Sequence, residues 1–216
     1  TKTAPVHVKH WGVRVTPSPP KLGGVRGGLN KGLGSGKISV EVQLENPSKS
    51  KLSIRNTVIS QDGKIVADQT SPCPSYSGGE FSLTVKNPQL WSCEMLNIYK
   101  VRTQVKAGGK VVDTYETVTG FRTFKFDPKT GFWLNGKNFK LNGVCEHHDF
   151  GCLGAALNED ALHRKLLKLK QMGVNSIRSS HNPPAPELLN MCDTMGLIVM
   201  DESFDMWRKK KTQNDY

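Results

Sequence analysis

The sequence predicts two folds in series. An immunoglobulin-like antiparallel β-sandwich is expected over residues 1–122. The first β/α units of a (β/α)8 TIM barrel are expected over residues 123–216, making the chain a multidomain fragment. Three observations predict this. Up to about residue 122, apolar and polar residues alternate in short runs separated by turn signals, as in half-buried antiparallel strands. After Gly120 the order becomes strand, helix, strand, helix, strand, which implies a parallel sheet with helical crossovers. Each later strand also ends in polar residues, and the strand C-termini are where (β/α) barrels carry their chemistry.

The sandwich elements follow in order. His7–Val15 opens the chain's alternation, and Lys37–Leu44 is a clean period-two strand. Leu52–Ser60, Lys64–Gln69, Glu80–Val85, Tyr99–Lys106 and Lys110–Thr119 complete six or seven short strands, the number and spacing of an immunoglobulin-like domain. Asn46-Pro47, Asp62-Gly63, Ser77-Gly78-Gly79, Asn87-Pro88 and Gly108-Gly109 mark the turns. Pro17–Gly36 is rich in Gly, Pro and Lys without an apolar period, so a long loop is expected there. Trp11, Trp91 and Trp133 are expected in the core of the sandwich or its junction.

Beyond the sandwich, Phe132–Leu141 reads as a hairpin turning at Asn135-Gly136. A strand over Leu141–Cys145 runs into Glu146-His147-His148-Asp149. A helix follows, with Asn158 as N-cap and Gly173 as its stop. Leu162, Leu166, Leu169 and Met172 form its apolar face. Val174–Arg178 is the second parallel strand. The second helix starts near Pro186 and stops at Gly196. Leu197–Met200 is the third strand, ending in Asp201-Glu202. A closed barrel takes roughly 250 residues. Residues 123–216 hold only three strands, so either the chain is a fragment or the part-barrel packs on a partner.

Composition excludes several classes. Thirty Lys and Arg against nineteen Asp and Glu give a net charge of +11. The charges are scattered, with one tight run at Arg208–Lys211, and no nucleic-acid-binding motif accompanies them. A solvated surface is expected, with no nucleic acid partner. No apolar stretch is long enough to span a membrane. No signal peptide opens the chain, and Thr1 is not taken as a native start. The five cysteines, Cys73, Cys93, Cys145, Cys152 and Cys192, include no CxxC pair. They are expected to be buried free thiols.

Four motifs, in order, carry a family resemblance. They are Gly120-Phe121-Arg122 with Phe132-x-Leu134-Asn135-Gly136-Lys137 and Leu141-x-Gly143-Val144; Cys145-Glu146-His147-His148-Asp149-x-Gly151; Met172-Gly173-x-Asn175-x-Ile177-Arg178-x-Ser180-His181-Asn182-Pro183-Pro184; and Cys192-Asp193-x-Met195-Gly196 through Asp201-Glu202 to Trp207. The chain resembles the family 2 glycoside hydrolases of the β-galactosidase type. The likeness is strong over residues 118–207 and rests on strand pattern alone over residues 1–117.

The resemblance implies a retaining exo-glycosidase acting on terminal β-linked sugars, most closely β-galactosides. The mechanism uses two Glu whose carboxyl groups lie about 5 Å apart. The family draws both from later barrel strands, so no catalytic residue is expected in this chain and the isolated chain should be silent. The implied pocket residues are His147, His181, Arg178, Asp201, Glu202 and Trp207, with His148 and Asp149 as alternatives to His147. In the family, Arg178's position supports the nucleophile; an ion pair to Glu146 or Asp201 is the structural alternative. Adjacent residues on one strand point to opposite faces, so Asp201 and Glu202 are not the catalytic pair. Trp207 is expected to stack on a sugar or to lie in the core. Some relatives bind Mg²⁺ near the third strand through an acid and a His. Here Asp205-Met206-Trp207-Arg208 lacks the His, which argues against that metal, and no cofactor is required.

The implied parent is a soluble bacterial enzyme, periplasmic or cytoplasmic, able to oligomerise through its missing parts. Other readings are a β-glucuronidase or β-mannosidase of the same family, a carbohydrate-binding module, or a partner-binding protein. A binding module should end near residue 122 with exposed aromatics, whereas this chain runs on into barrel strands.

Overall fold

In the computed structural model, the described residues are 4–20, 34–203 and 205. They form thirteen strands, two α-helices and one short 3-10 turn at Gly151–Leu153, in two compact units.

The first unit is the sandwich. β1 (His7–Ser18), β2 (Ser35–Glu45) and β5 (Gly78–Lys86) make one antiparallel sheet in the order β1-β2-β5. β3 (Leu52–Ser60), β4 (Ile65–Pro72), β6 (Ile98–Ala107) and β7 (Lys110–Gly120) make the other, in the order β4-β3-β6-β7. Alternation places one side of each strand inward. Ile38, Val40, Val42 and Leu44 of β2 meet Ile54, Val58, Val101 and Val105 of the facing sheet in one buried cluster. One polar pair shares this interior: Thr103 donates its hydroxyl to Asn56 Oδ1 at 2.8 Å, as a buried pair must. Phe121, fully buried, packs edge-on against Tyr99, whose hydroxyl accepts from Gln89 N–H.

Two expectations change here. The expected loop does not begin at Pro17: β1 continues to Ser18, paired with Lys37, and β2 starts at Ser35. Pro17 is tolerated because β1 is an edge strand, where a missing N–H costs no ladder bond. Residues 21–33 of that expected loop lie outside the described residues. Trp11 is 70% exposed and not core. The β1–β2 register breaks between Val8 and Val13, and Trp11 sits in this bulge at φ 54°, stacked on His10. Trp91 is buried as expected, and Trp133 is half-buried.

β8 (Phe124–Asp127), β9 (Gly131–Leu134) and β10 (Lys137–Asn138) form a small sheet. The β9–β10 turn is Asn135-Gly136, both at positive φ, which Asn and Gly adopt most readily. The first of these strands was not anticipated.

The second unit carries the parallel strands β11 (Gly143–His147), β12 (Ser176–Ser180) and β13 (Ile198–Met200), in that order. α1 (Glu159–Gln171) joins β11 to β12, and α2 (Pro186–Met195) joins β12 to β13. Leu162, Leu166, Ile177, Leu188, Cys192 and Leu197 form their shared core. Met172 is 76% exposed, contrary to expectation. It is the C-cap residue, where the chain leaves the helix and its apolar face. Gly196 closes α2 at φ 74°, with the Cys93 carbonyl only 2.4 Å from where a Cβ would sit. No helix among the described residues is long and apolar enough to cross a membrane.

Asn158 caps α1 as expected: its side-chain oxygen accepts from Ala161 N–H at 2.9 Å. Asn158→Ala leaves that donor to solvent and should cost about 1 kcal/mol. A urea titration of the chain with an unshifted midpoint would remove the cap from the account.

Candidate functional site

The parallel register assembles the site. Cys145 pairs with Arg178, Glu146 with Ser179, and His147 with Ser180; Arg178 pairs in turn with Met200. Since side chains alternate, Cys145, His147, Arg178 and Ser180 share one face of the sheet. Val144 and Ile177 occupy the other and join the core against the helices. β11 and β12 therefore reach further than their apolar runs suggest, and His147 lies on a strand rather than after one.

Glu202 is the hub of the polar face. Arg178 donates to Glu202 Oε1 from Nε at 2.5 Å and also from Nη2. Glu202 Oε2 lies 3.4 Å from His181 Nδ1, and Asp205 Oδ1 lies 3.9 Å from the same nitrogen. The His181 ring stands edge-on to His147, centroids 5.3 Å apart. Ser179 Oγ accepts from Glu202 N–H at 2.9 Å, which fixes the backbone that presents the carboxylate. The partner of Arg178 is thus neither Glu146 nor Asp201. Glu146 is buried on the helix face and bound to Lys165, while Asp201 accepts from the Ser179 hydroxyl at 3.3 Å. β13 ends at Met200, so the strand alternation expected to part Asp201 from Glu202 does not extend to them; they hold different partners.

The loop after β11 is tied down locally. Asp149 Oδ1 accepts from Gly151 N–H at 2.8 Å, and its carbonyl accepts from Lys165 Nζ at 2.9 Å. His148 is exposed beside it. Trp207 lies outside the described residues. Among the described residues no group of three or more His, Cys, Asp or Glu could hold a metal ion.

The cysteines divide. Cys93 and Cys192 are buried, and burial pushes the Cys192 thiol up to about 12. Cys145 and Cys152 are exposed, contrary to expectation. Cys145 sits on the same face as the site, with Arg178 Nη1 3.6 Å from its sulfur. Only the strand register reveals this.

Chemically the cluster offers imidazoles that can donate to and accept from hydroxyls. It also offers a carboxylate held rigid by a guanidinium fork. Among the described residues, Glu146, Asp149, Asp201 and Glu202 each have a local partner.

Comparison with known proteins agrees with this architecture. A family profile described as "Glycosyl hydrolases family 2" matches residues 25–122, and one described as "Glycosyl hydrolases family 2, TIM barrel domain" matches residues 128–213. A β-galactosidase from Bacteroides ovatus is 44% identical over all of this chain, which spans 25% of that relative's length. A solved glycosyl hydrolase family 2 member from Bacteroides cellulosilyticus superimposes with a TM-score of 0.83 at 34% identity, covering 99% of this chain and 27% of that one. A β-glucuronidase from Bacteroides uniformis gives 0.82 at 26% identity, covering 98% of this chain and 26% of that one. The sandwich, the opening strands of a parallel β/α barrel and these likenesses identify the chain as a member of glycosyl hydrolase family 2.

Proposed function

We propose that the chain is the immunoglobulin-like domain and first barrel units of a larger retaining exo-glycosidase, a soluble bacterial enzyme that removes terminal β-linked sugars, β-galactosides first. The observation that carries this reading is the His147, Arg178, His181 and Glu202 cluster at the C-terminal ends of parallel strands, in a chain of this family. Strand ends are where barrel enzymes bind substrate. His147 and His181 bind sugar hydroxyls in this reading. Arg178, held by Glu202, positions the site at the barrel mouth, near where the nucleophile would sit.

The double displacement needs one carboxylic acid to protonate the leaving oxygen and a second carboxylate to attack the anomeric carbon. The locally engaged acids described above suit neither task. We therefore assign the catalytic pair to other parts of the enzyme. The alternative substrate is a β-glucuronide, favoured by the likeness to the Bacteroides uniformis structure. A glucuronide needs a cation free to meet its carboxylate. Arg178 is already engaged by Glu202, which supports a neutral sugar.

The test sets the 216-residue chain beside the full-length enzyme on chromogenic β-galactoside, β-glucuronide and β-mannoside. A silent chain and a full-length enzyme fastest on the β-galactoside are expected. Hydrolysis by the chain alone would overturn the assignment and make Glu146, Asp149, Asp201 and Glu202 the residues to mutate.

A further inference from the structure

The glycosidase reading leaves one exposed group at the strand ends unused, the Cys145 thiol. Its sulfur lies 3.6 Å from Arg178 Nη1. Ser180, two residues beyond Arg178, shares its face, and its hydroxyl bears on the same thiol. That hydroxyl is buried and has no well-formed hydrogen bond of its own. Leaving a buried donor unsatisfied is costly, and an anionic sulfur would satisfy it. Arg178 supplies the matching positive charge.

We propose that Cys145 is a hydroperoxide-reactive thiol whose oxidation sets a new oxygen against Arg178 and switches the sugar site off. The second half rests on the glycosidase reading. The thiol first loses its proton to solvent. The thiolate sulfur attacks one peroxide oxygen, forming an S–O bond as the O–O bond breaks. The leaving hydroxide takes a proton and departs as water. Sulfur is oxidised by two electrons to a sulfenic acid, and the peroxide is reduced. A thiol reductant reverses the change.

The thiolate is the reactive form. The Ser180 hydroxyl, and next the Arg178 guanidinium, hold the Cys145 thiol below its ordinary pKa, while the Glu202 charge opposes them. His147, His181 and Asp205 also lie on this side. Cys152 is an internal comparison, being exposed as well. Cys192, buried with its thiol pushed up, is the inert control.

The reduced 216-residue chain is treated with hydrogen peroxide at pH 7 in the presence of dimedone, and the adduct on each cysteine is followed by mass spectrometry. Cys145 should be trapped several-fold faster than Cys152, because the Arg178 guanidinium beside its sulfur stabilises the thiolate. Cys192 should stay unlabelled. Ser180→Ala should slow the trapping at Cys145, with circular dichroism confirming the fold; Arg178→Ala should slow it further. Equal rates at Cys145 and Cys152, or a Ser180→Ala rate like that of the parent sequence, would overturn the reactive thiol. In the full-length enzyme, peroxide should remove glycoside hydrolysis and dithiothreitol restore it. Whatever activity Cys145→Ser retains should be indifferent to peroxide. Undiminished hydrolysis with Cys145 fully trapped would overturn the switch. An untreated full-length enzyme without glycosidase activity would instead sink the functional reading, while the trapping result would stand by itself.

Discussion

On the proposed reading, Arg178→Ala in the full-length protein is expected to lower kcat/KM on a β-glycoside by about 10²–10³-fold, the range seen when a fixed electrostatic donor is removed from an active site. The geometry supplies the reason. Arg178 grips Glu202 through Nε and Nη2, and the second oxygen of that carboxylate faces His181. Without the guanidinium, Glu202 loses its main partner and the fixed position that partner gives it. The carboxylate oxygen 3.4 Å from His181 Nδ1 then no longer orients the imidazole, so the group proposed to meet a sugar hydroxyl loses its aim. Arg178→Lys restores charge but not the planar fork, so it should recover only part of the rate. A merely structural role would lower the melting temperature while leaving kcat/KM unchanged well below it. An Arg178→Ala enzyme with unchanged kcat/KM would remove Arg178 from the site.

What the sequence reveals depends on how local the cause is. The helix limits were readable because caps act within a few residues: Asn158 on Ala161 N–H, and Gly196 at positive φ. The parallel strand order followed from the alternation of strand and helix. Strand ends were not readable, because a ladder continues wherever the neighbour offers partners. Gly78 and Gly79 pair with Gln43 and Val42 although neither has a side chain to alternate. The same limit applies to the site. Arg178 and His181 could be singled out, but the partner of Arg178 depends on register. Glu146 sits opposite Ser179 and so faces away, whereas Arg178 lies opposite Met200, two residues before Glu202. The exposed thiol of Cys145 and the bulge at Trp11 have no local signature for the same reason.

Lys165→Met is expected to destabilise the chain by about 2–4 kcal/mol, around the lower end of the cost of removing one partner from a buried ion pair. The Glu146 side chain is only 7% exposed, so its charge has little water to fall back on once Lys165 Nζ is gone. Lys165 is 29% exposed, and this partial hydration keeps the cost from the top of the range. The ammonium has two further tasks. It donates to the Asp149 carbonyl at 2.9 Å and sits 4.5 Å above the Phe150 ring. Its loss should thus loosen residues 147–153 beyond the global effect. Hydrogen exchange should speed there more than in the sandwich strands. Glu146→Leu combined with Lys165→Met removes both charges and should recover most of the stability, since an apolar pair can replace a buried ion pair at little or no cost. A urea midpoint that stays put in Lys165→Met would mean that water already solvates Glu146. A double variant as unstable as the single one would mean that Lys165 acts through Asp149 and Phe150 rather than through charge.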